Sequence, residues 1–299
     1  LFMSFFLPFT LFIAIKNPVT DCGCFGDALI ISNWQTFYKN IVLMAFALVI
    51  FFSRNQFKNP IKPIFQHAIA LVPALVFAFT AYQSLNHLPI IDFRPYKIGV
   101  NISEAMNIPA DAPADEYRNE FVYRNKITGK EEKFNDTNYP WQDTITWEYV
   151  SMTSKLVKKG FEPAIHDFTI ETMDGEDVAG YFLETENYTL MIVAYNLDKT
   201  SSKAQEKLNK LASEALAHNL NVVCLTASSE EQIVAFKEKH NSPFEFFFCD
   251  EITLKTIVRS NPGIVLTYQG TILNKWHWKD TPSFEHLIKT KEIDLEKVR

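Results

Sequence analysis

The sequence predicts a membrane α-helical bundle at its N-terminus, followed by a soluble α/β domain. Two observations predict this division. Only seven of the chain's 64 formal charges fall in residues 1–91, whereas the other 208 residues carry 57. From residue 160 onward, apolar runs of strand length alternate with segments of helical periodicity, which is typical of an α/β sheet.

Three apolar segments make up the first part, at about residues 1–16, 34–53 and 64–85. The first is too short to cross a hydrocarbon core of roughly 30 Å, and no Met stands at position 1. We therefore expect a truncated bundle whose first span lacks its beginning. The alternative is three buried helices of a soluble protein. These segments have almost no polar face, however, which favours membrane spans.

The charges between the segments predict the orientation. Arg54, Lys58 and Lys62 make the loop before the third segment purely basic, which places that loop in the cytoplasm. The loop with Cys22 and Cys24, and everything after the third segment, then lie on the opposite, oxidising side. We expect a multi-pass protein of the bacterial inner membrane, in contact with the lipid bilayer, with its C-terminal domain in the periplasm.

Cys22 and Cys24 flank a single glycine in the loop between the first two apolar segments. A disulfide across so small a ring is less relaxed than one in a longer loop, and a strained, exposed disulfide is more oxidising. The pair is either a redox pair that exchanges with other thiols or a static disulfide that staples the loop. A metal site would need two further ligands, and only the scattered His67 and His87 are at hand, so we expect no metal.

A β-rich spacer is expected over residues 89–160, with a hairpin turn around Gly129. The α/β domain follows over residues 161–299. Its clearest strand is the nearly continuous apolar run 190–195, which should be buried on both faces of a central sheet.

Three local patterns further along the chain carry predictions. A helix is expected to be capped by Ser228, and a hairpin is expected to turn at Gln269 and Gly270. Cys224 and Cys249 belong to predicted strands, and we expect both to be buried, inert thiols.

The order of these elements, with Pro262 directly before the hairpin, resembles the thioredoxin-like fold. Residues 161–170, followed by Asp174 and Gly175, resemble the start of its thiol reductase and peroxiredoxin branch. The resemblance implies a cis peptide bond at Pro262, on the side of the active site.

The chain departs from this family at the position of the catalytic thiols. Where relatives carry Cys-x-x-Cys, residues 198–203 read Asp-Lys-Thr-Ser-Ser-Lys, so the helix N-terminus has no thiol whose pKa it could lower. We expect a redox-silent domain whose groove binds client proteins. The candidate groove residues are Ser201, Ser202, Asn261 and Pro262.

The N-terminal part carries a second resemblance. Asp-Cys-Gly-Cys-Phe-Gly at 21–26, with Trp34 downstream and a basic turn after the next span, resembles the DoxX/MauE family of small membrane proteins. Residues 88–99, Leu-Pro-Ile-Ile-Asp-Phe-Arg-Pro-Tyr-Lys-Ile-Gly, fit the same architecture fused to a thioredoxin-like domain. This resemblance implies a link to disulfide formation in exported proteins.

The favoured function is thiol–disulfide exchange or maturation of exported proteins in the cell envelope, through Cys22 and Cys24. No cofactor is evident, and a membrane quinone is the candidate electron acceptor. A non-enzymatic accessory or scaffold subunit is the main alternative, and a quinone-linked oxidoreductase subunit is a third. The net charge of −6, with no basic cluster, argues against nucleic acid as a partner.

Overall fold

A computed structural model of the chain describes residues 2–19, 29, 31–56, 62–166 and 168–298, apart from the side chains of residues 63 and 64. The chain divides into two units, Leu1–Gly99 with Thr169–Arg299, and Val100–Phe168. The predicted redox pair, Cys22 and Cys24, lies outside the described residues. The domain boundaries expected from the sequence stay a prediction.

Three apolar helices come first: α1 (Phe2–Lys16), α2 (Asn33–Ser53) and α3 (Pro63–Asn86). α2 begins with a capping box, because Ser32 Oγ accepts from the N–H of Gln35 and Gln35 Oε1 accepts from that of Ser32. α2 and α3 are long and apolar enough to cross a membrane, and little of either is buried. α1 is apolar but shorter.

α1 and α2 contact each other through polar side chains. Asn40 Nδ2 donates to Thr10 Oγ1 at 3.3 Å, and both residues are buried. Asn33 Nδ2 donates to Asn17 Oδ1 and to the carbonyl of Val19, each at 2.7 Å. Polar contacts between helices whose other faces expose apolar side chains are typical of helices that pack in lipid.

The unit Val100–Phe168 consists mainly of an antiparallel sheet. After α4 (Ile102–Met106), β1 (Glu116–Asn125), β2 (Glu131–Asn135) and β3 (Trp147–Lys158) pair in the order β2-β1-β3. The expected turn around Gly129 is confirmed, since Gly129 has a φ of +70° and its N–H donates to the carbonyl of Asn125 at 2.7 Å.

An aromatic cluster lies on one face of this sheet. The ring of Tyr123 meets those of Phe134 and Tyr149 edge-on, with centroids 5.9 and 5.7 Å apart. Phe134 also packs edge-on against Trp147 at 5.1 Å. Among the residues of β1, β2 and β3, only Tyr123 is fully buried, so the core of this sheet is thin.

The remaining elements form an α/β domain around a five-stranded sheet. They are α5 (Ala179–Glu184), β4 (Tyr188–Val193), α6 (Ser202–Ala217), β5 (Asn221–Thr226), α7 (Glu230–His240), β6 (Glu245–Phe248), α8 (Glu251–Ile257), β7 (Gly263–Tyr268), β8 (Thr271–His277) and α9 (Phe284–Lys289). The strand order is β6-β5-β4-β7-β8. β4, β5 and β6 run parallel, whereas β7 and β8 are antiparallel to their neighbours. This is the topology of the thioredoxin-like fold.

The centre of this sheet confirms the strand expected from the apolar run 190–195. Every residue of β4 is buried. Leu190 and Ile192 belong to a core cluster with side chains of α6, α7 and α9. Met191 and Val193 point to the opposite face, because side chains alternate along a strand, and they are equally buried.

Two local predictions have different outcomes. The hairpin between β7 and β8 turns at Gln269 and Gly270, both with positive φ, which confirms the expected turn. The expected cap at Ser228 is wrong by one residue, because Ser229 caps α7. Ser228 is buried instead, and its Oγ accepts a hydrogen bond from the N–H of Leu197 at 2.9 Å.

Candidate functional site

The start of α6 lies where thioredoxin-like enzymes carry their thiols, and it presents hydroxyl groups. Ser201 occupies the N-cap position, and its side chain makes no capping hydrogen bond. Ser202 opens the helix and is exposed. Thr200 Oγ1 donates to the carbonyl of Leu197 at 2.7 Å. A hydroxyl at a helix N-terminus does not ionise near neutral pH, so these residues suit binding and not electron transfer.

A cavity of about 270 Å³ lies beside this helix start, towards α7. Asp198, Ser202 and Gln232 line it, and Gln232 Nε2 donates to Asp198 Oδ2. Lys239 and His240 also line it. Burial lowers the pKa of His240, and the charge of Lys239 lowers it further, so this imidazole is neutral at pH 7. The cavity thus offers polar groups of both signs to a ligand.

The loop before β7 is tied to the turn that leads into α6. The peptide bond between Asn261 and Pro262 is cis, as the resemblance implies. Asn261 Nδ2 donates to the carbonyl of Asn196 at 2.8 Å, and Asn196 Oδ1 accepts from the N–H of Lys199 at 3.1 Å. Asn261 Oδ1 is buried and accepts no hydrogen bond from the described residues. The predicted groove residues therefore lie on two segments joined by hydrogen bonds, and their role as a groove stays a prediction.

The two cysteines of the thioredoxin-like domain are free and buried. Cys224 lies in β5 within the core cluster, and burial raises the pKa of its thiol far above the usual range. Burial, with the charge of Asp250 as the next cause, raises the pKa of Cys249 to about 12. The expected burial of both cysteines is confirmed. Because only a thiolate exchanges with disulfides, the raised pKa values agree with the expectation that these thiols are inert, which stays a prediction.

The structure also shows a charged cluster at β8 that sequence reasoning did not single out. Lys275 Nζ donates to Asp92 Oδ2 at 2.5 Å and to the carbonyls of Tyr96 and Ile257 at 2.6 and 3.0 Å. Arg94 Nε donates to Asp92 Oδ1 at 3.0 Å. One carboxylate thus joins two cations and fastens the segment after α3 to the five-stranded sheet.

Burial and the neighbouring charges have opposite effects on the pKa values of Lys275 and Asp92. Burial lowers the pKa of Lys275, and the hydrogen bond with Asp92 offsets part of that effect. Burial alone would raise the pKa of Asp92, but Lys275 and Arg94 outweigh it and lower this pKa below its ordinary value. Asp92 and Lys275 are separated by most of the chain, so no local pattern could have connected them.

A protein-family comparison matches only the small sheet. Residues 117–159 match a family described as a domain of unknown function, DUF8463. These residues cover almost all of the three-stranded sheet. No curated protein matches the chain.

Several solved structures are similar to the chain over the thioredoxin-like domain. A thioredoxin-like protein from Aeropyrum pernix is 16% identical, with 42% of this chain and 89% of that chain covered and a TM-score of 0.34. A thiol:disulfide interchange protein from Bacteroides sp. is 15% identical, with 42% and 84% covered and a TM-score of 0.32. StoA from Bacillus subtilis is 14% identical, with 42% and 95% covered and a TM-score of 0.31. Our fold assignment rests on the strand order and the strand directions given above.

Proposed function

We propose that this chain is a multi-pass, DoxX/MauE-like inner-membrane protein that exchanges disulfides with exported proteins through Cys22 and Cys24. Its thioredoxin-like domain, on the periplasmic side, binds the client. The observation that carries this proposal is that the domain keeps the thioredoxin-like topology while both of its own thiols, Cys224 and Cys249, are buried. The exposed apolar surfaces of α2 and α3 support the membrane setting.

The exchange reaction balances when two partners take part, a client protein with two thiols and a membrane quinone. A client thiolate attacks the Cys22–Cys24 disulfide and forms a mixed disulfide, and the second client thiol resolves it. The client then holds a new disulfide, and Cys22 and Cys24 hold two thiols. A membrane quinone takes the two electrons and two protons from these thiols, becomes the quinol and restores the disulfide.

Client binding is assigned to the start of α6 and the loop of Pro262. Ser201 and the exposed Ser202 offer hydroxyl groups to an extended peptide that passes beside Asn261 and Pro262. The adjoining cavity of about 270 Å³ accommodates a side chain of that peptide. Hydroxyls in place of thiols let the domain hold a client without forming a covalent bond to it.

Trapping of mixed disulfides tests the exchange reaction. In the full-length Cys22→Ala variant, the Cys24 thiolate can attack the disulfide of an oxidised client, which is the reverse of the exchange reaction. No Cys22 thiol is then present to resolve the mixed disulfide, so acid quenching and alkylation should preserve mixed disulfides with envelope proteins. The double variant Cys22→Ala/Cys24→Ala, which keeps Cys224 and Cys249, serves as the control and should trap nothing. Absence of mixed disulfides from both single variants, Cys22→Ala and Cys24→Ala, would contradict the proposal.

A pair of substitutions on one helix tests the groove. Ser202→Trp fills the exposed start of α6, whereas Ser213→Trp places the same bulk on an exposed position further along α6. We expect Ser202→Trp to lower the yield of mixed disulfides in the Cys22→Ala background and Ser213→Trp to leave it unchanged. Equal yields would remove the groove from the proposal but not the exchange reaction.

A non-enzymatic scaffold subunit is the second candidate function. Hydroxyls at the start of α6 and the burial of Cys224 and Cys249 favour it, because a domain that only binds needs no exposed thiol. The scaffold predicts that Cys22→Ala traps no protein and leaves the thiol status of exported proteins unchanged. It also predicts that Ser202→Trp weakens association with its partner.

A further inference from the structure

Residues 88–98, which follow α3, border a cavity of about 320 Å³. Its lining has two chemical characters. Leu88 and Ile98 contribute apolar surface, and Arg94 and Lys97 contribute positive charge. A cavity of this size with few charged groups and an apolar part is typical of a site for a small amphiphilic ligand.

The positive charge in this cavity exceeds the negative charge. Arg94 and Lys275 keep only 6% and 7% of their surfaces exposed, and they share one carboxylate, Asp92. These three groups therefore carry a net charge of +1, to which the exposed Lys97 adds another. Buried charges in proteins are ordinarily paired, so an anionic ligand suits the cavity.

The guanidinium of Arg94 has donors left for such a ligand. Among the described residues, its Nε and one N–H on each Nη have acceptors, which are Asp92 and the carbonyl of Lys255. A guanidinium carries five N–H groups in a planar fork that matches phosphate oxygens. Lys275 has all three of its N–H groups engaged and contributes charge alone.

The lining residues follow directly after α3, and this position indicates which kind of anion the cavity binds. α3, a candidate membrane span, ends at Asn86, two residues before the first lining residue. Apolar surface continues past this helix end, because Leu85 is 77% exposed and Ile90 is 82% exposed. Apolar side chains beside cations at the end of a span are typical of contact with lipid headgroups.

We infer that this cavity binds the phosphate group of an anionic phospholipid, with Arg94 and Lys97 donating to its oxygens. The inference rests on the membrane setting proposed above and is independent of the thiol chemistry. Because Asp92 and Lys275 fasten the same segment to β8, a lipid bound here would hold the thioredoxin-like domain at the membrane surface.

Lipid binding to the purified full-length protein in detergent tests this inference. The ligands are phosphatidylglycerol, phosphatidylcholine and inorganic phosphate, and native mass spectrometry measures their dissociation constants. We expect phosphatidylglycerol to bind at least about tenfold more tightly than phosphatidylcholine, and Lys97→Gln to weaken that binding about fivefold. The matched control is Lys237→Gln, which neutralises an exposed lysine on α7 and should leave the affinity unchanged.

Three results would overturn the inference. The first is equal affinity for the two lipids, and the second is an equal loss of affinity for phosphatidylglycerol in Lys97→Gln and Lys237→Gln. The third is inorganic phosphate bound as tightly as phosphatidylglycerol. The last would assign the cavity to a soluble phosphate instead. The Cys22→Ala/Cys24→Ala protein should bind phosphatidylglycerol like the unmodified chain, so failure here leaves the exchange reaction standing.

Discussion

The two sheets of this protein are paired by the same backbone hydrogen bonds but differ greatly in how far their side chains are buried. Every residue of β4 is buried, whereas every residue of β3 except the half-buried Trp147 is exposed. A strand that is covered on both faces removes all of its apolar side chains from water. The comparison teaches that strand pairing alone says little about where stability resides.

The edges of the two sheets differ as well. The segment before residue 100 covers the outer edge of β8, because the N–H of Gly99 donates to the carbonyl of Ile272 at 2.8 Å and Lys275 donates to that of Tyr96. Among the described residues, β3 pairs only with β1, and its other edge has no strand beside it. Lys155 and Lys158 lie on this edge strand, and such charges disfavour pairing with another chain.

Truncation of a leucine in each sheet should give the largest difference. Leu190 in β4 is 1% exposed, and Leu156 in β3 is 41% exposed. We expect Leu190→Ala to lower the free energy of unfolding by about 3 kcal/mol, because it leaves a cavity in a packed core. Leu156→Ala should cost less than about 1 kcal/mol.

Hydrogen exchange measured by mass spectrometry reads the two sheets separately. Under conditions where exchange reports stability, amides of β4 should exchange roughly 150-fold faster in Leu190→Ala. Amides of β3 should change by less than about fivefold in Leu156→Ala. Similar accelerations in the two variants would mean that the exposed sheet is stabilised by side-chain packing as much as the buried one.

Removal of the carboxylate at the covered edge should have the next largest effect. Asp92→Asn leaves Lys275 and Arg94 buried without an anion, which we expect to cost about 2 kcal/mol at pH 7. Because the pKa of Asp92 is lower in the folded protein than its ordinary value of 3.8, its contribution is present above that pH. The contribution is lost as the pH falls through the folded-state pKa.

Urea unfolding at several pH values between 7 and the acid range checks this prediction. The Asp92→Asn variant should lose less stability on acidification than the unmodified protein. Glu206→Gln, which alters an exposed carboxylate on α6, serves as the control and should keep the normal pH profile. An unchanged profile in Asp92→Asn would show that this carboxylate does not stabilise the covered edge.

Features that depend on neighbouring residues could be predicted from the sequence. The run 190–195 indicates a buried strand because a strand covered on both faces tolerates no polar position. Gln269 and Gly270 indicate a hairpin because both central residues of such a turn adopt positive φ. The burial of Cys224 and Cys249 was expected from their place in predicted apolar strands, and the structure confirms the burial, although Cys249 lies one residue after β6.

Features that depend on distant contacts could not be predicted in this way. The pairing of Asp92 with Lys275 joins two elements that only the folded chain brings together. Ser228 and Ser229 are both good helix caps, and the choice between them is decided by the loop of Leu197, which binds the hydroxyl of Ser228. β3 lacked a clear signal because an exposed strand shows no alternation between apolar and polar positions.

The aromatic cluster of the small sheet should give the smallest effect. Tyr123→Ala removes the two edge-on contacts with Phe134 and Tyr149, and we expect a cost of about 1 kcal/mol, or roughly fivefold faster exchange of the amides of β1. Tyr123→Phe keeps the ring and should exchange at nearly the normal rate. Tyr123 is 8% exposed, and every other residue of the three strands is half-buried or exposed, so the space left by its ring is not enclosed by a packed core. A cost as large as that of Leu190→Ala would mean that the thin core is as tightly packed as the centre of the thioredoxin-like domain, and that exposure is a poor guide to stability in this protein.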